Sequence, residues 1–195
     1  GSGKTEVYID IIDGMVKRGS QAIMLIPEIS LTYQTVVRFT ARFGDRVSFI
    51  HSKLSTGERY DQFLRAERGD IDVMIGPRSA LFTPFPSLGI IVMDEEHETS
   101  YKSEQMPKYH ARDVAEMLAR ISRASFVMGS ATPSVEAYQK AKSGVYELYE
   151  RGIDYPGFQW IGKENQWRVE WSISIYKRLN DALFCVSSDE NTMLA

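Results

Sequence analysis

The sequence contains a single cysteine, Cys185, among 195 residues, and this scarcity excludes several classes of protein. One cysteine cannot form an internal disulfide framework or a cysteine-built zinc site, so we expect no zinc in this chain. Long apolar runs are also missing, since no stretch approaches the ~20 residues that a membrane-spanning helix needs. We therefore expect no membrane partner, and the cysteine usage favours a reducing cytoplasm.

An excess of positive charge is absent as well. The formal net charge is −3, so the chain carries no overall basic footprint for nucleic acid, although a few well-placed groups could still follow a phosphate backbone. Hydrophobic residues make up 43% and charged residues 25% of the chain, as in soluble globular proteins. A chain of this length can bury one core with a small appendage.

Short apolar runs alternate along the chain with stretches of helical periodicity. We predict strands at 22–26, 47–50, 72–75, 89–93 and 124–128, and helices at 6–18, 31–42, 55–68, 109–121 and 134–141. This alternation predicts an α/β fold with a mainly parallel sheet flanked by helices. Polar motifs follow the carboxyl ends of the predicted strands, where ligands bind in such sheets.

The first five residues, Gly1-Ser2-Gly3-Lys4-Thr5, match the second half of a phosphate-binding loop, G-x-x-x-x-G-K-[ST]. In such a loop the backbone N–H groups converge on phosphate oxygens, Lys4 reaches the β- and γ-phosphates, and the Thr5 hydroxyl ligates Mg²⁺. The strand that precedes such a loop is not in this sequence, so we expect a RecA-like P-loop domain truncated at its first strand. A linker that runs into a helix is the alternative for these five residues.

An apolar strand at 89–93 ends in four polar residues, Asp94-Glu95-Glu96-His97. We expect Asp94 to hold the Mg²⁺ that bridges the nucleotide phosphates, and Glu95 to orient or deprotonate the attacking water. A solvated acidic loop is the alternative. His97 has no partner at ligand spacing, so a hydrogen-bonding relay is favoured over metal binding.

Small hydroxyl residues follow the last predicted strand, in the segment 129–134. We expect Ser130 and Thr132 to contact the acidic motif or His97 and so to sense the γ-phosphate. The alternative is an ordinary turn in which Ser134 caps the next helix.

The order GSGKT, DEEH, GSATP resembles the first motor lobe of a superfamily 2 helicase. Two longer runs, IGPRSALFTPF at 75–85 and DEEHETSYK with YHARD within 94–113, resemble the replication-restart (primosomal) helicases. The resemblance covers residues 1–150 and implies the ATP-binding lobe of a bacterial, cytoplasmic 3′-to-5′ DNA helicase. It implies Lys4, Asp94 and Glu95 as catalytic residues and ATP with Mg²⁺ as cofactors. The implied partners are single-stranded and forked DNA, other primosome proteins and single-strand-binding protein.

In that family the segment after the acidic motif is an aromatic-rich loop that couples DNA contact to hydrolysis. The resemblance places this loop at 98–109, with Tyr101, Lys102 and Tyr109 as its working side chains, since aromatic faces stack on bases. Arg78 is the corresponding expectation for a contact with the DNA backbone. Pro77 stands where the family usually has threonine, and it removes a backbone donor from this position.

From about residue 151 the sequence changes character, with Trp160, Trp167 and Trp171 close together. We predict that 1–150 is the motor lobe and that 151–195 is a divergent or frame-disrupted connector towards a missing second lobe. Such a fragment alone is expected to be inactive. Two other functions stay open: a nucleotide-dependent module that loads partners at forks without unwinding DNA, and another superfamily 2 DNA translocase.

Overall fold

The computed structural model describes residues 4–150 and the strand at 182–186. Gly1, Ser2 and Gly3 of the predicted phosphate loop lie outside the described residues, as do the three tryptophans and most of the predicted connector.

A sheet of seven strands forms the centre of the described molecule. The strands are β1 Gln21–Leu25, β2 Val47–Phe49, β3 Val73–Gly76, β4 Leu88–Asp94, β5 Ser125–Ser130, β6 Glu147–Glu150 and β7 Ala182–Val186. Their order is β2-β3-β1-β4-β5-β7-β6, and the neighbours from β2 through β5 are parallel. The last two strands are antiparallel to their neighbours. The prediction of a mainly parallel α/β sheet is confirmed.

Helices flank the sheet. They are α1 Lys4–Val16, α2 Tyr33–Phe43, α3 Thr56–Glu67, α4 Ala111–Ser122 and α5 Val135–Lys142. Ser55 and Glu58 form a capping box at the start of α3, and the Ser134 hydroxyl caps α5 by accepting from the N–H of Ala137. These caps set the first residues of α3 and α5, which lie within two residues of the predicted starts.

The core has two layers, one on each face of the sheet, because successive side chains of a strand point to opposite faces. On one face α1 packs over β1 and β4, with Tyr8 and Ile12 fully buried. On the other face α4 packs through Ala111, Ala115 and Ala119. Burial of this apolar surface stabilises the fold by roughly 25 cal/mol per Å².

The helical spacing of Val114, Met117, Leu118 and Ile121 predicts that they form the buried face of α4, and this prediction is partly wrong. Val114 and Leu118 pack against the core as expected, but Met117 and Ile121 are 62% and 74% exposed. The alanine face lies against the sheet instead, because small side chains allow the helix to approach the strands closely.

The carboxyl ends of β1, β3, β4 and β5 lie at one edge of the sheet, because these strands are parallel. Asp94 at the end of β4 is paired in register with Gly129 near the end of β5. In the part of the chain that the structure describes, none of the helices combines the length and the apolar character needed to cross a bilayer.

Candidate functional site

Lys4, Asp94 and Glu95 meet at the carboxyl edge of the sheet. Lys4 is the first residue of α1, and its Nζ donates to Glu95 Oε1 at 2.7 Å and lies 3.9 Å from Asp94 Oδ1. All three side chains are shielded, with exposed fractions of 12%, 15% and 27% for Lys4, Asp94 and Glu95. The structure therefore brings together the cation and both acids that the sequence predicts as catalytic.

Asp94 is held by two buried tyrosines, one of which sequence reasoning missed. The Tyr8 hydroxyl donates to Asp94 Oδ1 at 3.0 Å, and the N–H of Glu95 donates to the same oxygen at 3.0 Å. The Tyr101 hydroxyl donates to the carbonyl oxygen of Asp94 at 2.7 Å. Tyr8 reads in the sequence as one more apolar position on α1, and only its hydroxyl distinguishes it from the residues around it.

Burial and charge shape the protonation of this cluster. Burial raises the pKa of the Asp94 carboxyl, while the Lys4 ammonium and the hydrogen bond from Tyr8 act in the opposite direction. Burial, followed by the negative charge of Asp94, raises the pKa of the Tyr8 hydroxyl well above its usual range. Tyr8 therefore stays protonated and acts as a hydrogen-bond donor.

Glu95 has a left-handed backbone, with φ of +49°. This conformation is uncommon for a residue other than glycine and costs conformational energy. Here it turns the chain sharply at the end of β4, and the Glu95 carboxylate faces Lys4 on one side and His97 on the other. Glu95 Oε2 lies 3.7 Å from His97 Nδ1.

His97 contacts the segment that follows β5. Its Nδ1 lies 2.6 Å from the buried Ser130 Oγ, which also accepts a hydrogen bond from the N–H of Thr132. The structure thus joins His97 and Ser130, while Thr132 takes part through its backbone. A role for these contacts in sensing the γ-phosphate stays a prediction.

Glu96 forms a buried cluster that sequence reasoning did not single out. Its side chain is fully buried and accepts from the N–H of Ser134 at 2.5 Å and from the Ser134 hydroxyl at 3.0 Å. Arg112 Nη1 lies 3.4 Å from Glu96 Oε2 and donates to Ser134 Oγ at 3.0 Å. The cluster ties the acidic motif to the first turns of both α4 and α5.

The aromatic-loop prediction requires Tyr101 to lie on the surface, but this residue is buried. Only 1% of it is exposed, and its ring packs in the core beneath Asp94. In this conformation the ring cannot stack on a base, because both of its faces are covered. The expectation of direct DNA stacking is therefore corrected for Tyr101, which contacts the backbone of the acidic motif instead.

Lys102 and Tyr109 do reach the surface. Lys102 is 65% exposed and lies 3.4 Å from Glu104 Oε1. Tyr109 is half-buried and packs edge-on against the exposed Phe82, with 5.8 Å between the ring centroids. A pair of accessible aromatic rings with a nearby cation is suited to contact single-stranded nucleic acid.

Arg78 is engaged within the protein. Its Nη1 donates to the carbonyl oxygens of Ser100 at 2.7 Å and Lys102 at 2.8 Å, on either side of Tyr101. The predicted DNA-backbone contact would have to share or replace these hydrogen bonds. In this structure Arg78 therefore stabilises the conformation of the loop at 98–109 through these two hydrogen bonds.

A divalent metal ion bound at the carboxyl edge of the sheet would need ligands other than protein side chains, such as phosphate oxygens and water. Among the described residues, no group of three or more His, Cys, Asp or Glu could hold a metal ion. Mg²⁺ is usually bound through one or two carboxylates together with substrate phosphates and water. Asp94 fits this requirement, because among the described residues Oδ2 accepts no hydrogen bond while Oδ1 accepts two.

The sequence matches the family profile "DEAD/DEAH box helicase" over residues 1–141. This chain belongs to that family, and the predicted RecA-like fold is confirmed.

Its relatives include several proteins named replication restart protein PriA. The chain is 52% identical to the protein of Bacillus subtilis over 148 residues, covering 76% of this chain and 18% of the relative. Identity is 50% over 149 residues with the protein of Chlamydia pneumoniae, covering 76% and 20%, and 47% over 147 residues with that of Haemophilus influenzae, covering 75% and 20%. The predicted resemblance to a replication-restart helicase is confirmed, and the chain spans about a fifth of the length of these relatives.

Proposed function

We propose that this chain is the ATP-binding first motor lobe of a replication-restart DNA helicase. ATP hydrolysis would drive movement 3′ to 5′ along single-stranded DNA at stalled forks in the bacterial cytoplasm. The observation that carries the proposal is the contact of Lys4 with two acids about ninety residues away, at the ligand-binding edge of the sheet. Membership of the helicase family and the similarity to PriA proteins support it.

The nucleotide site has a role for each residue. Gly1, Ser2 and Gly3 would bind phosphate through backbone N–H groups, and Lys4 would leave Glu95 to contact the β- and γ-phosphates. Thr5 and Asp94 would hold Mg²⁺, whose charge stabilises the transferred phosphoryl group. Glu95, once released from Lys4, would orient the attacking water.

The nucleic-acid contacts would come from the neighbouring loop. Lys102 would neutralise a phosphate, and Tyr109 with Phe82 would stack against a base. Arg78 would couple the loop to the nucleotide site. It donates hydrogen bonds to the carbonyls on both sides of Tyr101, and the Tyr101 hydroxyl donates to the backbone of Asp94. A shift of the loop would therefore reach the metal-binding residue through one side chain. His97 and Ser130 would carry the signal onward to the segment after β5.

The lobe is proposed to occupy residues 1–150, with 151–195 as a connector towards a second lobe. Hydrolysis by the lobe alone would be very slow, since a second lobe supplies the arginine that is worth ~10³–10⁵ in rate in related hydrolases. Forked DNA, primosome proteins and single-strand-binding protein are the partners that this proposal implies.

An ATPase assay on the full-length protein, with and without forked DNA, tests the proposal. Hydrolysis that rises with DNA and is accompanied by strand separation supports the motor. Hydrolysis without unwinding would favour a loading module that uses nucleotide only to bind the fork. Absence of nucleotide binding would overturn the assignment of the site.

A further inference from the structure

Tyr8 is fully buried on the face of α1 that packs against the sheet. Its neighbours on this face, such as Ile12 and Met15, are apolar, so a phenylalanine would fill the same space without a polar atom. A buried hydroxyl must be hydrogen-bonded, because an unpaired one costs free energy. The partner of this hydroxyl is Asp94 Oδ1, at 3.0 Å.

The two oxygens of Asp94 have different surroundings. Oδ1 accepts from the Tyr8 hydroxyl and from the N–H of Glu95, and these two donors fix the plane of the carboxylate. Among the described residues, no donor reaches Oδ2. Without the Tyr8 hydroxyl the carboxylate would keep one donor, from its own neighbour in the chain, and could rotate about its side-chain bonds.

The backbone of β5 makes room for the Tyr8 hydroxyl. Gly129 is the register partner of Asp94, and a Cβ at this position would lie 1.8 Å from the hydroxyl oxygen and 2.9 Å from Cζ of Tyr8. No side chain fits in that space while Tyr8 remains in place. Three elements, α1, β4 and β5, therefore meet at this one hydroxyl.

We infer that Tyr8 is a positioning residue for divalent metal: it holds Asp94 Oδ1 so that Oδ2 faces the Mg²⁺ of the bound nucleotide. The role rests on the proposed function, since it concerns the metal that accompanies the nucleotide. It adds to that function a residue on α1 that contacts neither phosphate nor metal.

The test is Tyr8→Phe in the full-length protein. Binding of a fluorescent ATP analogue is titrated with Mg²⁺, and again in excess chelator. Hydrogen bonds to charged groups are strong, so the Mg²⁺ concentration at half-saturation should rise roughly tenfold or more. Binding of the analogue in chelator should not change, because among the described residues the Tyr8 hydroxyl bonds to Asp94, whose proposed role is exerted through the metal.

Tyr146→Phe is the matched control. Tyr146 is also buried, and its hydroxyl bonds to a carboxylate, Glu116, and to Lys140 Nζ at 2.8 Å, among α4, α5 and β6. This variant loses a comparable hydrogen bond away from the site. Its Mg²⁺ half-saturation should match that of the unmodified protein.

A double variant separates positioning from general destabilisation. In an Asp94→Asn background, Tyr8→Phe should add no further change in Mg²⁺ dependence, because the residue through which it acts is already altered. An equal factor in both backgrounds, or an unchanged Mg²⁺ half-saturation in Tyr8→Phe, would overturn the inference. If Tyr8→Phe lowers the folded yield, half-saturation is measured on the folded fraction isolated by gel filtration, since the half-saturation concentration does not depend on how much protein folds. An unmodified protein whose nucleotide binding ignores Mg²⁺ would refute the proposed function itself.

Discussion

Lys4 and Glu95 form a 2.7 Å ion pair across 91 positions of the sequence. In the proposed mechanism Lys4 contacts the phosphates and Glu95 orients the attacking water. Their pairing holds both charges at a partly buried site, and nucleotide binding would have to separate them.

Replacement of Lys4 by alanine should abolish nucleotide binding, because it removes the cation that reaches the phosphates. Titration of the full-length variant with a fluorescent ATP analogue checks this. Lys17→Ala, which removes an exposed lysine of the same segment, is the control. Wild-type affinity in the Lys4 variant would contradict the assignment of the loop.

Glu95→Gln should retain nucleotide binding and lose hydrolysis. The amide keeps the size of the side chain but cannot act as a base, and general-base catalysis typically contributes 10²–10⁴ in rate. Steady-state ATPase and equilibrium binding, measured on the same preparation, separate the two effects. If Mg²⁺-ATP binding fell as far as turnover, Glu95 rather than Asp94 would be the metal-binding acid.

The two tyrosines of the loop should behave differently. Tyr109→Ala should weaken binding of single-stranded DNA, since stacking is worth ~1–3 kcal/mol per base, and should flatten the stimulation of ATPase while basal hydrolysis survives. Tyr101→Ala should lower the free energy of unfolding by roughly 3–5 kcal/mol, because it removes a buried ring. DNA-binding titrations and chemical denaturation distinguish the two variants. Full stimulation in Tyr109→Ala would show that this ring plays no part in coupling.

Arg78→Ala should loosen the loop at 98–109. The variant loses both hydrogen bonds to the carbonyls of Ser100 and Lys102, so backbone amides of this segment should exchange faster with deuterium. Arg120→Ala, at an exposed position of α4, is the control. Unchanged exchange in the Arg78 variant would mean that Tyr101 alone secures the loop.

Glu96→Gln should destabilise the fold by roughly 3–5 kcal/mol, because it leaves Arg112, whose side chain is only 11% exposed, without its countercharge. Denaturant unfolding measures this loss. Glu104→Gln changes a carboxylate that is 74% exposed and should have little effect. Equal stability of the two variants would show that the Ser134 contacts alone hold α5 in place.

Much of the fold follows from the sequence, because its determinants are local. The short apolar run at 89–93 is typical of a buried strand, and Ser55 with Glu58 marks a helix start from residue types alone. The α4 face could not be predicted in this way. Periodicity favours the large apolar residues Met117 and Ile121, whereas the sheet accepts the alanines.

The juxtaposition of Lys4, Asp94 and Glu95 was predictable, because sequence motifs mark all three residues at the ends of elements that meet at one edge of the sheet. The supporting residues were not. Tyr8 and Glu96 owe their roles to partners far along the chain, on β4 for Tyr8 and before α5 for Glu96. Tyr101 shows the opposite error, since an aromatic residue in a polar loop resembles a surface group until its burial is known.

The contact between Gly129 and Tyr8 also restricts how the two positions can evolve. A lineage that keeps the tyrosine must keep glycine at position 129, because any Cβ there would collide with the hydroxyl. Loss of the hydroxyl would have to come first, before a larger residue could become established on β5. The order in which these two substitutions are permitted is therefore set by a single interatomic distance.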